Sequence, residues 1–171
     1  MEHKNFKIIK AFLIPFFGII LLLFILLIIS MLKGQFLEKA ILLFSFIATL
    51  LIGIEAGKRE ITITKDGLKL KKFFRVKTIA WSDITHLAIV ELRKKVYFLV
   101  TTTKGFYFFS NMFENHALLI RSVADQLETE KVETEIRTYL DHPVERHSLD
   151  IICWLAVAIM IAFIFLKVLP V

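Results

Sequence analysis

The sequence predicts a mixed α and β membrane protein: three transmembrane helices and one small antiparallel β barrel or sandwich closed by a C-terminal amphipathic helix. Three observations carry this. Long apolar runs occupy Ala11 to Leu32, Phe36 to Gly57 and Ile151 to Val171. Between the second and third runs, residues 58–150 change to short alternating segments joined by turn residues. The composition agrees: 57% of the 171 residues are hydrophobic and the mean hydropathy is +0.69, whereas an ordinary soluble domain is about 45–50% apolar.

The first run carries no charge over 22 positions. At ~1.5 Å per helical residue, about 20 residues cross a hydrocarbon core of ~30 Å. Lys4, Lys7 and Lys10 give it a positive start like that of a signal peptide. The run is too long for that, and no small-x-small cleavage pattern follows, so an uncleaved span is expected. The second run has a charge-free middle, Ala40 to Ile54, with Glu38, Lys39 and Glu55 near its ends. Glu55 is read as interfacial, paired with Lys58 one turn away. The third run is interrupted only by Lys167, whose stem can carry its amine to the interface. Cys153 is the sole cysteine, so no internal disulfide forms.

Lysine and arginine flank the spans unevenly. Lys4, Lys7 and Lys10 precede the first, and Lys58, Arg59, Lys65, Lys69, Lys71 and Lys72 follow the second. The intervening hairpin has only Lys33 and Lys39. The positive-inside rule then puts the N-terminal tail and the soluble domain in the cytoplasm, with the C-terminus outside the cell membrane. The domains expected are 1–57 (tail and transmembrane hairpin), 58–150 (soluble domain) and 151–171 (third span).

Within the soluble domain, Ile61-Thr62-Ile63-Thr64 alternates with period two, and Asp66-Gly67 signals a hairpin whose central residues take positive φ. Leu68 to Phe74, Lys77 to Trp81, His86 to Leu92, Val96 to Thr103 and Phe106 to Phe109 read as further strands, six in all. Asn111, with Glu114 three residues on, suits a capping box. Phe113, Ala117, Ile120, Ala124 and Leu127 then make the apolar stripe of a closing helix. From Glu128 to Asp141 the chain is acidic, with Val132, Ile136 and Leu140 spaced as a second short helix or an extension of the first. His142-Pro143 should end it.

An Asp-Gly hairpin, a strand running into Ile79-Ala80-Trp81-Ser82-Asp83-Ile84, three more strands and an amphipathic helix together resemble the bacterial pleckstrin-homology-like domains. The resemblance covers Glu60 to Leu127. It implies a seven-stranded fold, one more strand than counted above. It also implies binding of lipid or protein rather than catalysis, and supplies no catalytic residues.

The charge is two-sided. Lys58 to Lys104 holds 12 basic and 4 acidic residues, a net of +8, while Gly105 to Asp150 holds 4 basic and 9 acidic, a net of −5. Strict alternation through the second strand would put Lys69, Lys71, Arg75 and Lys77 on one face, away from Leu68, Leu70, Phe74 and Val76. With Arg93, Lys94 and Lys95 from a later turn, they are the candidates for binding anionic lipid or a partner. The bland alternative is a solvated face. Gly53, Gly57, Ala158 and Ala162 are candidates for helix packing, within one chain or between copies.

The motif Gly53-Ile-Glu-Ala-Gly57-Lys58 is one residue short of a phosphate loop, and Arg59 stands where Ser or Thr would bind magnesium. His142 and His147 are a weak metal hint, and Asp83 is read as capping the turn after Trp81 rather than working with His86. No catalytic constellation, metal site or cofactor is expected, and no nucleic acid partner. The reading is a non-catalytic adaptor at the anionic inner leaflet, with a protein partner or homo-oligomer as further partners. The alternative is a subunit of an oligomeric transporter or channel complex.

Overall fold

The structure is a computed structural model that describes residues 4–73, 75–92, 95–143 and 148–169. In chain order the elements are β1 (Lys4–Lys7), α1 (Lys10–Lys33), α2 (Phe36–Lys58), β2 (Glu60–Ile63), β3 (Gly67–Lys72), β4 (Arg75–Ala80), β5 (Ile84–Leu92), β6 (Lys95–Thr102), β7 (Gly105–Ser110), α3 (His116–Ala124), α4 (Thr134–Asp141) and α5 (Ser148–Val168). They fall into two compact units, one of residues 10–57 and 147–171, the other of residues 1–9 and 58–146.

The first unit is helical, and α1, α2 and α5 are each long and apolar enough to cross a membrane. Most of their Leu, Ile and Phe side chains point outward, among them Leu32, Phe36, Phe44, Ile159 and Leu166. A helix satisfies its own backbone hydrogen bonds, so such a surface suits hydrocarbon better than water. Gly53 lies against α1, where an added Cβ would stand 2.6 Å from Ile20 Cδ1 and 3.2 Å from Phe16 Cε1. Phe24 and Phe46 stack at 5.6 Å between the same two helices. Gly18 of α1 faces Val157 of α5 at ordinary contact distance. Lys167, near the end of α5, pairs with Glu38 in the first turn of α2. Glu55, near the end of α2, is buried, as is Gly53.

The second unit holds two antiparallel sheets, of order β1-β2-β3-β4 and β5-β6-β7. The strand missing from the sequence count is β1. Residues 4–7 are not a tail. They pair with β2, Phe6 opposite Ile61, and Glu114 N–H then donates to the Lys7 carbonyl at 2.8 Å. Phe6, Ile61, Ile63, Leu68 and Ile79 face inward from the first sheet; Ile84, Leu87, Val96, Phe98, Val100 and Phe109 do so from the second. The helices complete this core with Leu119, Ile120 and Val123 of α3 and Ile136 and Tyr139 of α4. Phe98 lies at its centre, 5.7 Å from the Phe109 ring and 5.4 Å from the Tyr139 ring. Each such fully buried side chain contributes ~1.5–3 kcal/mol.

Several local expectations shift. The first hairpin reverses at Lys65-Asp66, with Thr64 N–H donating to the Gly67 carbonyl at 2.9 Å, and neither central residue has positive φ. Gly67 is needed for a different reason: its Cβ would stand 2.0 Å from the Ile79 carbonyl oxygen on β4. Trp81 leaves the strand for a 3₁₀ turn, Trp81–Asp83, and its indole N–H donates to the Thr64 carbonyl at 3.2 Å.

The Asp83 carboxylate does not cap that turn; it meets Lys104 Nζ at 3.5 Å. Asn111 is fully buried and caps no helix, since α3 begins after Asn115, itself in the left-handed region at φ 51°. The buried face of α3 is accordingly His116, Leu119, Ile120 and Val123 rather than the Ala117, Ala124 and Leu127 stripe. The acidic segment forms a separate helix, α4, ending at Asp141 just before His142-Pro143.

Candidate functional site

The β3–β4 hairpin decides where the basic residues go. Its register pairs Leu68 with Ile79, Lys69 with Thr78, Leu70 with Lys77, Lys71 with Val76 and Lys72 with Arg75. Directly opposed residues share a face of an antiparallel sheet. Lys69 and Lys71 therefore share a face with Thr78 and Val76. Arg75 and Lys77 lie on the other face, with Leu70 and Lys72. The stripe expected from strict alternation does not exist, because the chain reverses after Lys72. Phe73 makes that reversal at φ 49°, an uncommon backbone for a bulky side chain. Val76, expected to face the core, is 64% exposed.

This reversal creates a cleft. Leu70, Lys72, Phe73, Arg75 and Lys77 form one wall, and Phe106, Tyr107 and Phe108 of β7 form the other, around a volume of about 530 Å³. The Lys72 ammonium lies 5.4 Å from the centre of the Phe73 ring and 5.3 Å from that of Phe108. Lys77 Nζ is 4.6 Å from the centre of Tyr107. Arg59 stacks over the outer side of the hairpin turn, 5.7 Å from the Phe73 centroid. Rings attract cations through their quadrupole. Phe106, Phe73 and Phe108 are 74%, 63% and 62% exposed. Three largely exposed phenyl rings beside three cations make an amphipathic surface.

A second cavity of about 340 Å³ adjoins the cleft, and Leu70, Lys72 and Phe108 line both. Its walls are mainly apolar, from Ile8, Ile61, Phe109, Met112 and Phe113, with Arg59, Glu60, Lys71 and Ser110 also lining it. Ile8 is two residues along the chain from the start of α1, and Arg59 immediately follows α2.

Of the sequence candidates, Arg75 and Lys77 line the cleft and Lys71 lines the inner cavity. Lys69 is on the opposite face, and Lys95 is at the start of β6, paired with Leu92. Arg93, Lys94 and Phe74 lie outside the described residues, as do His3 and His147. Lys72, Phe106, Tyr107 and Phe108 were not among the sequence candidates. Ala158 and Ala162 are exposed on α5; Gly57 has Phe17 at 3.8 Å from a built Cβ. His86 does not meet Asp83: its Nε2 is 3.1 Å from Glu133 Oε1. Among the described residues no group of three His, Cys, Asp or Glu side chains could hold a metal ion.

No protein-family model, curated protein or solved structure matches the chain, so the site is read from its own geometry.

Proposed function

We propose that this protein is a non-catalytic membrane adaptor. Its three apolar helices cross the cell membrane, and its seven-stranded unit is a pleckstrin-homology-like domain that binds anionic headgroups of the inner leaflet. The observation that carries this is the cleft in which Lys72, Arg75 and Lys77 stand among exposed phenyl rings. Cations answer the lipid phosphates, and the rings suit the headgroup boundary. Each Lys or Arg near an anionic leaflet contributes about 1 kcal/mol. A covalent tether raises the effective concentration without any added contact.

Two features support the wider reading. Seven antiparallel strands in two sheets followed by α3 support the resemblance, which implies seven strands and a closing helix. β1 and β2 are neighbours in one sheet although α1 and α2 lie between them in the chain. A there-and-back crossing by α1 and α2 meets that requirement, and the lysine and arginine bias makes the shared side cytoplasmic.

The test uses the full chain in nanodiscs of anionic or zwitterionic lipid, read by amide hydrogen exchange. Segments 69–72 and 105–110 should exchange more slowly in anionic discs, and the protection should fade as salt shortens the screening length from ~10 Å at 0.1 M. Equal exchange in both lipids at every salt concentration would overturn the proposal.

A further inference from the structure

We infer that the cleft and the adjoining cavity form one site for a single anionic lipid molecule, its phosphate at Lys72 and an acyl chain running past Leu70 along the apolar wall of the second cavity. This rests on the leaflet-binding proposal and goes further, from a surface that touches headgroups to a pocket that takes one lipid in.

The two volumes, about 530 Å³ and about 340 Å³, share the Leu70, Lys72 and Phe108 wall. Each alone is within the ~300–1,000 Å³ range of small-molecule sites. Both linings mix cations with apolar side chains. The outer mouth gathers Lys72, Arg75 and Lys77, and among the described residues no ion pair engages any of the three. The inner cavity is walled largely by Ile8, Ile61, Phe109, Met112 and Phe113.

A bare phosphate would find cations in both parts, since Arg59 and Lys71 also line the inner cavity, but would leave the apolar wall of Ile8, Ile61, Phe109, Met112 and Phe113 unused. A purely apolar ligand would leave the cations unanswered. An anionic head joined to a hydrocarbon tail uses both parts. Lys72, held between two rings at the shared wall, marks the point where head becomes tail. Arg59 and Ile8 bring the inner cavity within one or two residues of the apolar helices α2 and α1, so a lipid source is near along the chain.

The experiment takes the full-length protein in neutral detergent and measures binding by native mass spectrometry. Three probes are compared: dihexanoyl phosphatidic acid, dihexanoyl phosphatidylcholine and glycerol 3-phosphate. Phosphatidic acid should bind at least about tenfold more tightly than glycerol 3-phosphate, since its added methylenes leave water. Lys72→Gln should weaken it about fivefold. Met112→Trp, which fills the inner cavity, should abolish the advantage over glycerol 3-phosphate. If that variant does not fold, the ratio of the three probes on the unaltered chain still decides.

Equal binding of glycerol 3-phosphate would make this a site for free phosphate and overturn the inference. Equal binding of phosphatidylcholine would remove the role of charge and overturn it too. Exchange protection in anionic nanodiscs without any preference among the short-chain probes sinks the single-lipid site and leaves leaflet binding standing. Loss of both sinks both.

Discussion

In the three-stranded sheet the two outer strands are finished in opposite ways. Along β5 the chain returns to cover the edge. Val132 forms a parallel bridge with Leu87, and Glu133 N–H donates to the Leu87 carbonyl at 3.1 Å. The Glu133 carboxylate then accepts from Ile89 N–H at 3.1 Å and lies against His86. Along β7 no comparable cover is seen among the described residues: Phe106 and Phe108 stand exposed, with lysine amines over Tyr107 and Phe108. Open strand edges and exposed aromatic patches invite association, and proteins ordinarily blunt them. The chain had the means to do so, since it did it on the other side of the same sheet. The exposure at β7 is what the proposed lipid contact would use.

Three substitutions probe this contrast. The largest effect belongs to the sealed side. Ile136→Ala empties a fully buried position beneath α4 and should cost about 2–5 kcal/mol, read as a lower denaturant midpoint of the full chain in detergent. A change under 1 kcal/mol would mean that α4 is not seated on the sheet. Next, Glu133→Ala leaves the Ile89 N–H without its acceptor and should cost about 1–3 kcal/mol. Faster hydrogen exchange at residues 86–90, with β7 unaffected, is the expected signature; unchanged exchange there would remove the sealing role. The smallest effect on stability belongs to the open side. Phe106→Ser should move the unfolding midpoint by no more than about 0.5 kcal/mol while reducing the protection seen in anionic nanodiscs. A large stability loss would show that Phe106 belongs to the core after all.

The three apolar helices were readable because an apolar run of about 20 residues with charges only near its ends has few other uses. β2, β3, β5, β6 and β7 were readable to within a residue or two from period-two alternation. β1 escaped because only Phe6 and Ile8, two apart between lysines, carried its signal. The start of α3 was misplaced because Asn111 and Glu114 match a capping pattern that the backbone does not use, the helix starting after a left-handed Asn115 instead.

A break between Leu68–Phe74 and Lys77–Trp81 was readable, but not the tight reversal at Phe73, because Phe73 and its neighbours include no Gly, Asn or Pro to announce a turn. That miss propagated, since one unrecognised reversal exchanges the faces of every later residue in an alternating run. The cleft itself joins Lys72 to Tyr107 and Phe108 across two sheets, a juxtaposition no local pattern encodes.

The pairing of β1 with β2 has a consequence for how the protein is made. β1 leaves the ribosome first, yet its partner strand follows only after the 52 residues between Lys7 and Glu60 have been translated. At about 5–20 residues per second, the nascent segment waits roughly 3–10 s with Phe6 and Ile8 uncovered. Closure of the four-stranded sheet is thus timed by synthesis of the two long helices.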